Sequence, residues 1–519
     1  VNGRFERRIE LERKPDMAII EWIYVTCVLL LSVYGLNNLV LTWLYVRHRS
    51  DVTKPNRQLP VSRDLPFITV QLPIFNELHT VERLIEAAAA LDYPAGKLEI
   101  QLLDDSTDST RDLAARSVAR LQSRGVPIMH LTRAERTGYK AGALAAGLSQ
   151  ARGDLVAIFD ADFVPPPDYL LRVGAEFQDP DIGCVQTRWG HINRNYSLFT
   201  QTQALGVDGH FVVEQTARSR AGLFINFNGT AGVWRRACIE DAGGWQGDTL
   251  TEDLDLSYRA QLRGWRFSYL SDVIVPAELP AQISAFKQQQ ARWAQGSIQT
   301  AMKLMLPLLR SSQPWSIKLE GAIHLTGYLV HPLMLLVILL TLPMSFSHSW
   351  ALAIAPWLMM AAVGPPLMYS VAQMADGASW LYRLRVLPVL VLLGMGLALS
   401  NTRAVLKAVL GRRQGFQRTP KFALRSRGDA WVSSTYTVRG DGLILGELGL
   451  SLFALALLAA PGVNWGFAPW LLLYAGGFGY VVAVNARQMF QRRHWMTMQT
   501  AHQKTDTEKP AHCANPCKG

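Results

Sequence analysis

The sequence predicts an α/β catalytic-type domain joined to a set of membrane-spanning helices. Three observations carry this prediction. Strand-like and helix-like runs alternate between residues 66 and 300. Apolar runs of about 20 residues, the length that crosses a bilayer, lie on both sides of that segment. Charged residues make up only 18% of the chain, against about a quarter in soluble proteins.

Taken in order, residues 1–16 form a polar tail in which Arg4, Arg7, Arg8, Arg13 and Lys14 are nearly cancelled by Glu6, Glu10, Glu12 and Asp16. Residues 17–46 contain the apolar run 22–46. It is too long for a signal-peptide core and no small-residue cleavage site follows it, so it reads as a retained transmembrane helix. A linker, 47–65, leads into the domain at 66–300. There 67–73, 98–105, 128–132 and 154–162 read as strands, and 77–91, 109–124 and 140–151 as helices. That alternation implies a parallel sheet covered by helices. An interfacial helix is expected at 301–321. Two spans follow within 322–374 (322–343 and 351–374), then an interfacial or re-entrant segment within 385–440, two more spans within 443–484 (443–461 and 466–484), and a polar tail at 485–519.

Charge decides the parity of the spans. Basic residues cluster at 47–49, 310–318, 383–385, 403–427 and 487–493, and such clusters favour the cytoplasmic side. A spanning helix at 386–400 would place 403–427 outside, so 386–410 reads as re-entrant. The expectation is five spans in the cell (inner) membrane, with 47–321 cytoplasmic. The formal charge of +11 sits beside apolar runs, which points to membrane lipids as partners; no nucleic-acid-binding motif accompanies it. The five cysteines make no disulfide framework, and Cys513 and Cys517 lack a second ligand pair.

Ligands of such sheets bind beyond the carboxyl ends of the strands, where Asp104, Asp105, Asp160 and Asp162 fall. Four carboxylates there repel one another without a cation, and Mg²⁺ or Mn²⁺ with a diphosphate is the simplest resident. Each motif also has a plainer explanation. Asp160-Ala161-Asp162 is otherwise explained as a solvated turn before three prolines, and Asp104-Asp105-Ser106 as a helix cap, which is compatible with one residue also contacting a nucleotide. Lys140 opens a helix, which its charge disfavours unless an anion is near. In Thr251-Glu252-Asp253, Thr251 suits a cap and Asp253 suits a general base. Gln289, Arg292 and Trp293 fall three and four apart on one helix face. There Arg292 is able to neutralise a diphosphate and Trp293 to floor a sugar ring, although an amphipathic surface helix also uses Trp. In the expected spans, His324 and His331 lie on one helix face and Glu447 sits in an apolar run. Such groups either face a polar path or find a structural partner.

Together these segments resemble family 2 glycosyltransferases of the cellulose-synthase-like superfamily, nearest the cellulose-synthase-like A and C groups and their bacterial relatives. The shared text is VQLPIFNE (70–77), LLDDSTDST (102–110), GYKAGAL (138–144), FDADF (159–163), FNGTAGVWRR (227–236), TEDLDLSYRA (251–260), ELP (278–280) and QQQARW (288–293), with FQRTPK (416–421) similar to a gating loop. The resemblance implies a GT-A fold and an inverting transfer from a nucleotide-sugar donor, UDP-glucose or GDP-mannose. Asp104, Asp105 and Lys140 would bind the donor, Asp160 and Asp162 the metal, and Asp253 would be the base. Gln289, Arg292 and Trp293 would border acceptor and pyrophosphate. Asn228, Gly229 and Thr230 would line the acceptor's end, and Thr419 and Lys421 would close over the donor. Arg418 stands where the cellulose-synthase version carries Val. No regulatory domain is recognisable after the last span. The expected product is a β-1,4-linked glucan or mannan made processively. A membrane-lipid acceptor such as diacylglycerol or ceramide is the alternative, and a non-catalytic transporter or sugar-binding module a remote one.

Overall fold

A computed structural model describes residues 15–49, 65–345, 349–377, 379–412, 415–438, 440–460 and 465–507. The tail 1–14, most of the 47–65 linker and the Cys513/Cys517 pair lie outside the described residues. The first helix, α1 (Pro15–His48), is followed by β1 (Ile68–Ile74), α2 (Val81–Ala89), β2 (Leu98–Asp104), α3 (Thr110–Gln122), β3 (Ile128–Thr132), α4 (Tyr139–Leu148) and β4 (Leu155–Ile158). Then come β5 (Ile182–His191), α5 (Leu198–Asp208), β6 (Gly232–Arg235), α6 (Glu252–Leu262), β7 (Arg266–Ala277) and α7 (Ile283–Arg310).

The strands form one sheet in the order β3-β2-β1-β4-β6-β5-β7. The first four pair in parallel, as expected. The other half corrects an all-parallel reading: β6 runs antiparallel to both β4 and β5, and β7 is parallel to β5. The near-continuous apolar burial of β1 and β2 is what a sheet covered on both faces demands. Chain order reverses between β1 and β4, which opens a crevice at their carboxyl ends.

A polar clamp at the opposite edge fixes the register of these strands. Glu99 of β2, 1% exposed, accepts from Thr69 Oγ1 of β1 at 2.6 Å and from the Arg152 backbone N–H at 2.7 Å, just before β4. Thr69 Oγ1 in turn accepts from Gly153 N–H at 2.9 Å. Three adjacent strands are thereby tied at one end, so their other ends are held at fixed heights.

Beyond the sheet, α7 runs unbroken to Arg310, so 301–310 is not the start of a separate interfacial helix. It is followed by α8 (Trp315–Leu325), α9 (Val330–Ser345), α10 (Trp350–Met359), α11 (Gly364–Ala375), α12 (Leu387–Gly396), α13 (Ala398–Val409), α14 (Ile444–Leu458) and α15 (Ala468–Thr507). Among the described residues four helices are long and apolar enough to cross a membrane: Met17–His48, Gly327–Met344, Trp350–Ala375 and Trp465–Gln499. A fifth is reached if Trp380–Gly396 and Ala398–Val409, bent by 42°, form one broken span. The 386–410 piece is therefore two helices with a bend. The 443–461 span shortens to α14, below the length of a full crossing, and 485–507 continues α15. His324 and His331 do not share a helix face, because the chain breaks at Thr326.

Glu99→Ala is expected to cost about 1–3 kcal/mol for each buried group it leaves unpaired, read as a lower melting midpoint in detergent. Burial pushes the Glu99 carboxyl up, but its bonds to Thr69 and Arg152 outweigh this and hold it below the usual range. Its contribution is present above the ordinary carboxylate pKa and is lost as pH falls. The variant and wild type should therefore converge in acid.

Candidate active site

The crevice between β1 and β4 is the floor of a deep cavity. Its walls come from strand ends, from α6 and α7, and from residues 416–421. Asp105, Lys140, Asp160, Asp162, Asn228, Gly229, Asp253, Gln289, Arg292, Trp293, Thr419 and Lys421 all line it. Residues spread over more than 300 positions thus meet in one space.

Asp105, Asp160 and Asp162 are each held by a cation. Lys140 Nζ donates to Asp160 Oδ1 at 2.5 Å and to Gly229 O at 2.9 Å. The turn before α4 aims it: Gly138 is left-handed at φ 71°, and so, against its β-carbon, is Tyr139 at φ 51°. Arg133 pins that turn by donating to Tyr139 O at 3.0 Å while it grips Asp105 with two nitrogens. Burial works against the charge on Lys140, but Asp160, Glu252 and Asp253 outweigh it and raise its pKa. Asp162 Oδ2 accepts from Lys421 Nζ at 2.8 Å and from Glu278 N–H at 3.0 Å.

Asp253 lies beside the Lys140–Asp160 pair, near Gly229. A β-carbon at Gly229 would stand 3.0 Å from its Oδ2 and 3.5 Å from Lys140 Nζ, so a glycine keeps that approach open. Burial, then the neighbouring Glu252, pushes the Asp253 carboxyl up to about 7. Helix α7 locks against this turn. Leu250 N–H donates to Gln299 Oε1 at 3.0 Å, and Gly296 lies so close that a β-carbon there would be 2.5 Å from Thr251 Cγ2. On the cavity side, Arg292 stacks on Phe416 at 4.6 Å and donates to Gln417 O at 3.0 Å. Burial lowers its pKa despite Glu252, Asp160 and Asp253.

Two expected residues are not at the cavity. Asp104 is 1% exposed, and its oxygens are taken by His130 Nε2 at 2.8 Å and Ser106 N–H at 2.7 Å, so it braces the β2 end rather than meeting a ligand. Thr230 is 1% exposed and its hydroxyl accepts from Asp160 N–H at 2.9 Å, which sets the height of Asp160. His324 Nδ1 lies 2.8 Å from the Tyr258 hydroxyl, His331 Nε2 lies 2.9 Å from Asn401 Nδ2, and Glu447 pairs with Lys287 at 2.5 Å; all three have structural partners.

The sequence reading missed Glu77 and Glu278 as cavity residues. Glu278 follows directly on the end of β7 and Glu77 lies three residues past the end of β1, close to the signal that picked out the aspartates. Arg418 NH1 lies 2.9 Å from Glu77 Oε2, so the departure at 418 has a carboxylate to meet it. Burial, aided by Asp162 and Asp160 and opposed by Arg418 and Lys421, pushes Glu77 up to about 8. The buried Thr419 hydroxyl has no hydrogen-bond partner among the described residues.

Among the described residues no three His, Cys, Asp or Glu side chains could hold a metal by themselves. Asp160 and Asp162 each keep one oxygen without a hydrogen bond among the described residues. Two hard oxygen donors completed by phosphate and water are the set Mg²⁺ or Mn²⁺ takes, and the crowded carboxylates favour added positive charge, so the residues fit such an ion.

The family described as glycosyltransferase like family 2 matches residues 66–296. Over 257 residues the chain is 43% identical to glucomannan 4-beta-mannosyltransferase 2 of Arabidopsis thaliana, covering 49% of this chain and 48% of that protein. Over 253 residues it is 44% identical to probable glucomannan 4-beta-mannosyltransferase 11 of Oryza sativa subsp. japonica, covering 48% and 44%. The chain thus matches about half the length of these curated relatives. Among solved structures, a mannosyltransferase from Pyrobaculum calidifontis in complex with GDP-Man and Mn²⁺ aligns with 76% of this chain and 100% of its own, at 21% identity and a TM-score of 0.49.

Gly296→Val would drive a branched side chain into Thr251. The expected cost is about 1–3 kcal/mol of overpacking, measured as a lower melting midpoint, with Gly296→Ala intermediate.

Proposed function

We propose, from the premise that residues 66–296 are a glycosyltransferase family 2 domain of GT-A-like fold, that this chain is a membrane-embedded hexosyltransferase. In this reading it moves a sugar from a nucleotide-sugar onto a growing β-1,4-linked glycan with inversion. The observation that carries the reading is the convergence of Asp253, Lys140 and Asp160 around Gly229 in a cavity that Arg292 also lines. One buried carboxylate near neutral pKa stands beside one cation and shares its cavity with another. A single displacement needs that arrangement: a base for the attacking hydroxyl and positive charge for the departing diphosphate. The names of the plant relatives favour mannose as the transferred sugar, hence GDP-mannose over UDP-glucose.

Asp253 takes the proton of the acceptor hydroxyl. Lys140 and Arg292 meet the charge that builds on the leaving phosphate, and Asp105, gripped by Arg133, holds the nucleotide end. Asn228 and Gly229 border the acceptor together with Gln289 and Trp293. Asn228 is held ready by Gln215, whose amide donates to its Oδ1 at 2.7 Å. Thr419 and Lys421 cover the donor. Asp160 and Asp162 would hold Mg²⁺ or Mn²⁺, which supplies further charge to the diphosphate. The basic clusters favour a cytoplasmic catalytic domain in the cell membrane, on the side where nucleotide sugars are made, with the product leaving along the apolar helices.

The direct test incubates purified protein with radiolabelled GDP-mannose or UDP-glucose. Label in an insoluble polymer cut by a β-1,4-mannanase is the expected result; label extractable into organic solvent would replace the glycan by a lipid acceptor. Asp253→Asn should lower kcat by about 10²–10⁴-fold or more with GDP affinity nearly unchanged; retained transfer removes the base assignment. Because Asp253 must be ionised, kcat/KM should rise with pH along a limb centred near 7. Glu252→Gln, which removes the neighbouring charge, should move that limb to lower pH. Asp162→Ala should abolish the tightening of GDP binding by Mn²⁺ in calorimetry; unchanged titration places the metal elsewhere.

A further inference from the structure

Around Asn228 runs a polar relay that no step above uses. It begins in the π-helical turn Gly209–Glu214, a winding that recurs at functional sites. In an α-helix His210 and Gln215 would stand about 140° apart around the axis. Wound with i→i+5 bonds they come nearly into line, and both reach the Asn228 side chain. Gln215 Nε2 donates to Asn228 Oδ1 at 2.7 Å and to Asn226 O at 2.9 Å. Asn228 Nδ2 lies 3.0 Å from His210 Nε2, and His210 Nδ1 lies 2.9 Å from Glu214 Oε2. Asn228 lines the catalytic cavity; His210 and Glu214 do not.

These contacts fix the protons. The Asn226 carbonyl can only accept, so Gln215 presents N–H to Asn228, and Asn228 must answer with its oxygen. Its nitrogen therefore faces His210, whose Nε2 must accept. The hydrogen of the ring then sits on Nδ1, where the Glu214 carboxylate takes it. Arg218, 1% exposed, donates from Nε to the other Glu214 oxygen at 3.1 Å and lies 3.5 Å from Glu320 of α8, which anchors the carboxylate. A flipped Asn228 amide would set oxygen against bare nitrogen at His210 and N–H against N–H at Gln215, so one orientation is enforced. An amide has two donors and two lone pairs. The protein takes one of each and leaves one N–H and one lone pair, the complement of a sugar hydroxyl. We propose that His210 is a positioning residue for the acceptor: through Nε2 it holds Asn228 in the orientation that offers this N–H and lone pair to a hydroxyl of the glycan end. The inference rests on the reading of Asn228 as an acceptor residue.

Initial rates of the purified full chain in detergent test this. The substrates are β-1,4-mannotetraose with GDP-mannose, or cellotetraose with UDP-glucose if wild type uses that pair. Asn228→Ala should raise the acceptor KM about tenfold, the scale of one hydrogen bond. His210→Phe, which keeps a ring without an acceptor nitrogen, should raise it by a similar factor and leave the donor KM unchanged. His210→Gln, whose amide oxygen can take the same Asn228 N–H, should recover most of the loss. Both lesions act through one group, so His210→Phe/Asn228→Ala should be no worse than Asn228→Ala alone. His210→Ala repeats the measurement if His210→Phe lowers the melting midpoint. Losses that multiply in the double variant, donor and acceptor KM rising together, or no recovery in His210→Gln would each overturn the role of His210 while leaving Asn228 at the acceptor. An unchanged acceptor KM in Asn228→Ala would remove the acceptor reading itself, and the inference with it.

Discussion

Crowded negative charge in a partly dry crevice is the constraint around which the rest of this molecule is arranged. Glu77, Asp160, Asp162, Glu252, Asp253 and Glu278 border one space. Burial raises the pKa of Glu77, Asp253 and Glu278 most, and the neighbouring carboxylates, which destabilise one another's ionised forms, raise it further. The fold answers with cations drawn from distant sequence: Lys140 from the first half of the sheet, Arg292 from the long helix α7, and Arg418 and Lys421 from a segment that lies between membrane-type helices. Lys140, Arg418 and Lys421 reach their carboxylates, and Arg292 its place in the cavity wall, only if sheet, α7 and the 415–438 segment are assembled together, so charge compensation and domain assembly are one requirement.

That requirement explains which parts were legible in the sequence. The parallel half of the sheet was, because buried parallel strands read as unbroken apolar runs and the helices between them show clear punctuation. The strand-end aspartates were visible for the same reason. The antiparallel half was not: β6 is four residues long, and its pairing with β4 and β5 depends on contacts across the fold that no local pattern encodes. Asp104 and Asp105 illustrate the limit at the level of single residues. Adjacent in sequence and identical in chemistry, they part only because His130 and Ser106 lie on one side of the strand end and Arg133 on the other. Arg418 looked like a departure from a pattern, and the Glu77 carboxylate that gives it a place is more than 300 positions away.

The long apolar helices repeat the lesson. Apolar length identified helices well, but not where they bend or stop, since breaks at Thr326 and near Leu397 involve ordinary helix-compatible residues. Ionisable groups in apolar runs were ambiguous from sequence alone. Tyr258, Asn401 and Lys287 turn out to be their partners, each contributed by a different helix.

Helix α7 carries a consequence of another kind. One face presents Gln289, Arg292 and Trp293 to the cavity, another turns Lys287 to Glu447 and Gln295 to Arg412 O, and Gly296 is pressed on Thr251. Between Lys287 and Gly296 three sides of the cylinder are committed. A single residue inserted near Ile283 would advance all that follows by about 1.5 Å and turn it by roughly 100°, exchanging the faces wholesale. Length in this stretch is therefore as constrained as chemistry: substitutions can be absorbed one contact at a time, whereas an insertion or deletion breaks all of them together.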